Sequence, residues 1–288
     1  MTPADPAGAI AVTPEQLRRQ VARLKTVPTL PRLLERVIAI LEDPEVNFES
    51  VAEVVEVDQA LASQILRLAN SAFYSRQGAV SRVSQALVML GAVVTRSVVL
   101  SSSVLDLREV SLRGFWEHSL GCATAAGAIA KVSGKANPEE AVAAGLLHDL
   151  GKVVLFKQLP EAFAYILERA EVEQRSFREL ERDVLGVDHC EIAAWLVDHW
   201  RFPPALAEPI KYHHEPGRAV AAPDLTAIVH VANTLVRGLG YGSGGDQRVP
   251  PVDAKAWARL ALDAAGLDRV LERYDADLDY ALNYALFE

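Results

Sequence analysis

The stretch Ala144-Gly145-Leu146-Leu147-His148-Asp149-Leu150-Gly151-Lys152 sets an imidazole and a carboxylate side by side at the end of an apolar run, just before a glycine. Burying both beside leucines is costly unless something pairs with them, and a divalent cation is a common partner. Two adjacent residues arise often by chance, so the doublet gains its weight from its surroundings. His118 lies upstream, and His189, His213 and His214 lie downstream. These five, of the chain's 7 histidines, thus accompany Asp149 between residues 118 and 214. The second half of the chain reads as a helical pocket that gathers these side chains, as bundles do when they build metal sites from facing helices.

Each histidine also has a plainer reading. His213 and His214 fall at a helix C-terminus, where a partly charged imidazole is favoured anyway. His189 could be a solvated first-turn residue. His148 and Asp149, taken as successive helical residues, point about 100° apart and converge only on an ion lying between them. Alone, each is more often structural; together they favour a shared site. His199, beside Trp200 in an amphipathic helix, reads as a surface or core-edge residue, and His230 could face either way.

Composition narrows the class. The chain has 288 residues, half of them hydrophobic and only 7% aromatic, which suits packed helices better than a sheet-rich fold. Net charge is -9, with a pI near 5.4, and an acidic surface argues against broad nucleic-acid binding. The two cysteines, Cys122 and Cys190, have no paired spacing and read as small buried residues in a reducing compartment. The N-terminus lacks a basic segment followed by an apolar core, and Arg96 interrupts the longest apolar run, so neither a signal peptide nor a membrane helix is expected. A cytoplasmic location follows.

The expected organisation is all-α, a multi-helix bundle with an N-terminal helical part over 13–110, after a loose tail over 1–12. A helical part carrying the site spans 111–237, a flexible Gly-rich loop 238–251 and two C-terminal helices 252–288. Thr13-Pro14-Glu15-Gln16 reads as a cap followed by a proline at the first helical position. Leu30, Leu33, Leu34, Val37, Ile38 and Leu41 form one helical stripe; Val51, Val54, Val55, Leu61, Ile65 and Leu68 form the next, with Asp58 as a break. Residues 81–103 read as a helical pair turning at Gly91. A helix over 116–132 carries a small-residue face, Gly121, Cys122, Ala125 and Ala128, with His118 in its first turn. Asn137-Pro138-Glu139-Glu140 starts a helix expected to stop at Gly151, and Asp188-His189-Cys190-Glu191 starts another.

With these residues in hand, the chain resembles the HDOD family, a bacterial relative of the HD metal-dependent phosphohydrolases. The likeness spans about residues 22–235. It rests on Val27-Pro28-Thr29-Leu30-Pro31, on Asp58 to Ser71, on Ser84 to Gly91, on Trp116-Glu117-His118-Ser119, on Gly145 to Lys152 and on Tyr212-His213-His214-Glu215-Pro216. The resemblance implies an all-helical fold and a role in bacterial signal transduction as an output or scaffold module; many members have lost the HD ligands and are regarded as non-enzymatic. By the same resemblance His118 matches the first metal ligand and His148-Asp149 the doublet. His189, His213 and His214 resemble the extra histidines of the HD-GYP branch, which hydrolyses cyclic di-GMP at a multi-iron site. Two departures stand out. Asn233 occupies the place of a late aspartate ligand, a weak ligand at best, and Gly217-Arg218-Ala219 replaces the Gly-Tyr-Pro signature.

The leading expectation is a signalling module with a retained metal site for a divalent transition metal. Iron is favoured, with manganese, zinc or nickel as alternatives. Its partners would be signalling proteins, with a nucleotide as an alternative ligand. The competing readings are a metal-dependent phosphohydrolase, in which Lys152 would neutralise developing phosphate charge, and a nucleotide sensor without turnover.

Overall fold

Reciprocal caps fix where several helices begin. Thr13 Oγ1 accepts from the Gln16 N–H at 3.2 Å, and Gln16 Oε1 accepts from the Thr13 N–H at 2.8 Å, which opens α1 (Pro14–Ala22). Asp188 and Glu191 exchange the same pair of bonds at 3.1 and 3.2 Å ahead of α9 (His189–His199). Ser176 and Glu179 do so ahead of α8 (Phe177–Leu185). The computed structural model describes residues 13–22, 37, 40, 47–56, 61–62, 65, 69, 80–102 and 114–285, apart from 200, 201 and 203.

In chain order the remaining helices are α2 (Phe48–Val55), α3 (Val83–Ser102), α4 (Phe115–Ser133), α5 (Pro138–Leu147), α6 (Leu150–Gln158) and α7 (Pro160–Glu173). After α8 and α9 come α10 (Pro204–Tyr212), a 3-10 turn (Pro216–Arg218), α11 (Pro223–Gly238), α12 (Ala254–Leu260) and α13 (Ala264–Ala285). Among the described residues there is no strand, as the composition implied. The turn expected at Gly91 is present as a break inside α3, where φ is +72°. The stripe over 30–41, the break at Asp58 and the loop over 70–78 lie largely outside the described residues; Val51, Val54, Val55, Leu61 and Ile65 are buried as expected.

The small-residue face of α4 organises the second half. Cys122, Ala125, Ala126 and Ala128 are buried there, and the missing side-chain bulk lets α5, α11 and α13 pack against one helix. Helix α9 lies against α6 and α10, while α1 closes over α9 and α6 through Leu17 and Val21. No helix of the described residues is long and apolar enough to cross a membrane.

One boundary differs from the sequence reading. The helix beginning at Pro138 ends at Leu147, three residues before the predicted Leu150, and Gly151 lies inside α6. His148 and Asp149 therefore form the joint between two helices rather than successive turns of one. Gly151 serves close approach: a Cβ there would stand 1.9 Å from the His189 carbonyl oxygen. The glycine lets α6 meet the first residue of α9 and so sets the distance between Asp149 and His189.

Candidate metal centre

Four separate stretches bring the expected ligands to one place. His118 comes from the first turn of α4, His148 and Asp149 from the α5–α6 joint, His189 from the start of α9, and His213-His214 from the turn after α10. His118, His148, Asp149, His189 and His213 are each no more than 1% exposed; His214 is half-buried.

The Asp149 carboxylate divides the histidines between its two oxygens. Oδ2 lies 3.3 Å from His148 Nε2 and 3.8 Å from His118 Nε2. Oδ1 lies 3.4 Å from His189 Nε2 and 3.6 Å from His213 Nε2. His214 joins through its Nε2, 3.2 Å from that of His189.

The far side of each ring decides which proton it carries. His148 Nδ1 sits 2.7 Å from the Gly145 carbonyl, and His213 Nδ1 sits 3.2 and 3.3 Å from the carbonyls of Pro209 and Ile210. A carbonyl only accepts, so both Nδ1 atoms carry the hydrogen and both Nε2 atoms present a bare lone pair. His189 Nδ1 lies 2.6 Å from Glu181 Oε2, which already accepts the His189 backbone N–H at 3.1 Å, so this ring takes the same tautomer. Three lone pairs therefore face a carboxylate, acceptor against acceptor. His148 Nε2 and Asp149 Oδ1 have no hydrogen-bond partner at all. Buried orphans of this kind are expensive, and a cation between them satisfies all of them at once. The donor set of imidazoles with one carboxylate fits a divalent transition metal.

The electrostatics agree. Burial pulls His118 down to about 3. Burial likewise holds His189, His213 and His214 well below the ordinary imidazole range, keeping them neutral and able to ligate. Burial alone would raise the Asp149 carboxyl, but the Lys152 ammonium, 2.6 Å away, holds it well below the usual carboxylate range.

Glu181 is a site residue that the sequence does not single out. Its helix is otherwise Glu- and Arg-rich on the outside, yet Glu181 falls on the buried stripe with Phe177, Leu180 and Leu185 and is fully enclosed. That displaced acid is its only signal. Burial pushes its carboxyl well above the ordinary range. A carboxylate that orients a ligating histidine typically changes metal affinity about 10–100-fold, so Glu181→Gln is expected to weaken binding by that factor in a chelator-competition titration. Unchanged affinity would reduce Glu181 to packing.

Lys152 is buried and already engaged: Nζ donates to Asp149 Oδ2 at 2.6 Å and to the Gly244 carbonyl at 2.7 Å. The loop expected to be flexible is thus tied to the site. A Cβ on Gly242 would stand 2.2 Å from the His118 backbone nitrogen, and Asp246 pairs with Arg237 and accepts the Phe177 N–H at 2.7 Å. His230 links two ends, donating from Nδ1 to the His213 carbonyl at 2.7 Å and accepting the Asp253 N–H at 2.8 Å. Asn233 is buried, and its Oδ1 has no hydrogen-bond partner. His199 is exposed, as expected. A network of Arg178 and Arg182 with Asp188 and Glu215 ties α8 to the start of α9 and to the residue after His214. Arg178 holds Glu215 down at about 2.

Beside the cluster lies a cavity of about 440 Å³, lined by Lys152, His189, His214, Phe177, Arg178 and residues 248–251 among others.

Comparison with known proteins places the fold. The HDOD domain family model matches residues 27–216. A crystal structure of an HDOD domain protein with unknown function from Geobacter sulfurreducens is 27% identical; the match covers 92% of this chain and 95% of that one, with a TM-score of 0.68. A candidate phosphohydrolase from Shewanella amazonensis SB2B, 24% identical, shares the fold over 92% of this chain and 96% of its own, with a TM-score of 0.66. An uncharacterized protein of Treponema pallidum (strain Nichols) is 26% identical over 220 residues, 75% of this chain. The chain spans 43% of that relative's length.

Proposed function

Because the chain belongs to the HDOD domain family, we propose that it is a signal-transduction output module whose helices are arranged around a retained divalent-metal site. The observation that carries this reading is the set of three imidazole lone pairs aimed at the Asp149 carboxylate, with His148 Nε2 and Asp149 Oδ1 unpartnered. A cation at this point would join α4, the α5–α6 joint, α9 and the turn after α10. Binding free energy would then become folding free energy, and metal occupancy would set how rigidly the second half presents itself to a partner.

A second reading, a metal-dependent phosphohydrolase, is favoured by one observation: the cavity of about 440 Å³ reaches His189, His214 and Lys152. A divalent cation supplies polarisation of a phosphoryl oxygen when bound. Against this reading, Lys152 lines the cavity but its ammonium is spent on Asp149 and Gly244, and a neutral amide stands at Asn233.

The two separate on turnover. The metal-loaded protein, offered generic phosphoesters and cyclic dinucleotides, is expected to show no hydrolysis above the metal-only control. Hydrolysis that disappears together in His148→Ala and Asp149→Ala would overturn the module reading in favour of the enzyme.

A further inference from the structure

The chain has only 2 cysteines, and both lie against a histidine of the cluster. Cys122 Sγ is 3.6 Å from His118 Nε2, and Cys190 Sγ is 3.9 Å from His213 Nε2. They are not equivalent. On the Asp149 Oδ2 side, beside Cys122, the Lys152 ammonium already sits 2.6 Å from the carboxylate. On the other side His189, Cys190, His213 and His214 offer four donor atoms that all lie within 4.8 Å of one another.

We infer that Cys190 is a sulfur ligand, adding a thiolate to the His189, His213 and His214 imidazoles and Asp149 Oδ1 at a site for a thiophilic divalent cation such as zinc. The inference rests on the proposal that the cluster holds a metal. Tetrahedral zinc with the usual bond lengths separates its nitrogen ligands by about 3.3 Å and nitrogen from sulfur by about 3.6 Å. The 3.2 Å between the His189 and His214 Nε2 atoms matches the first spacing, while Cys190 Sγ, 3.9 Å from His213 Nε2 and 3.8 Å from its Nδ1, lies beside that ring and must turn toward the lone-pair side to bind. Cys190 is the second residue of α9; burial pushes its thiol well above the ordinary range, so the proton is lost only as the metal binds. On binding, one metal–sulfur bond forms and the thiol proton leaves to solvent; no electron is transferred. Thiolate among imidazoles selects zinc, cobalt or nickel over manganese or magnesium.

The test uses the full chain, stripped with a chelator and titrated with cobalt(II). Bound cobalt is counted by elemental analysis, and the near-ultraviolet sulfur-to-cobalt charge-transfer band is recorded. The expected result is a band that grows with bound cobalt, persists in Cys122→Ser and is lost in Cys190→Ser, which should also bind zinc about 10–100-fold more weakly. Should Cys190→Ser fail to fold, a band retained in Cys122→Ser still assigns the sulfur to Cys190, because no third cysteine exists. Cobalt bound without the band, or a band lost in Cys122→Ser, overturns the inference while leaving the metal site standing. No bound cobalt or zinc at all overturns both.

Discussion

Replacing Asp149 by alanine is expected to strip the protein of its metal and to destabilise the metal-free form as well. The metal effect follows from position: this carboxylate has the Nε2 atoms of four imidazoles at 3.3 to 3.8 Å. Loss of an orienting neighbour alone costs about 10–100-fold in affinity, so loss of this shared ligand should exceed that range. The second effect comes from Lys152, 3% exposed, whose remaining hydrogen-bond partner would be the Gly244 carbonyl. Leaving one member of a buried ion pair uncompensated costs about 3–5 kcal/mol. Adding Lys152→Met to Asp149→Ala should therefore recover much of the stability and none of the metal. Thermal unfolding of chelator-treated proteins measures the first part and elemental analysis the second. If the double variant is no more stable than Asp149→Ala, the Lys152 argument fails.

Gly151→Ala should have an effect out of proportion to one methyl group. The added Cβ would meet the His189 carbonyl oxygen at 1.9 Å and its carbon at 2.7 Å, both backbone atoms with no rotamer to relieve the clash. Helices α6 and α9 must separate, and forced overpacking of this kind costs about 1–3 kcal/mol or more. In a chain of this size each kcal/mol lowers Tm by roughly 2–4 °C. The separation also carries His189 away from Asp149 Oδ1, so metal affinity and stability should fall together. A variant that keeps native Tm and metal content would show that the approach is looser than described.

The candidate ligands were legible because their residue types are rare and their places are marked by local signals. His189 follows the Asp188–Glu191 cap, and the small-residue face of α4 announces a close helix contact in Gly121, Cys122 and Ala125. Other features depend on tertiary approach, which periodicity does not carry. Gly151 reads equally well as a helix stop or as a contact point, and only the position of the His189 backbone decides. Glycines over 238–245 read as looseness; Gly242 is there because the His118 backbone leaves no room for a side chain. Cys122 and Cys190 read as small hydrophobes, since nothing local says that a histidine ring lies beside each sulfur. Glu181 is hidden among exposed acids of the same helix.

The central claim is that Asp149 and the imidazoles of His118, His148, His189, His213 and His214 share a cation. Anomalous diffraction from crystals of the metal-loaded protein, collected at the absorption edge of the bound metal, addresses it most directly. The expected result is a peak at about 2.0–2.2 Å from an Asp149 carboxylate oxygen and from at least two of the histidine Nε2 atoms. A metal peak elsewhere on the chain, with the Asp149 pocket empty or filled only by Lys152, would contradict the account.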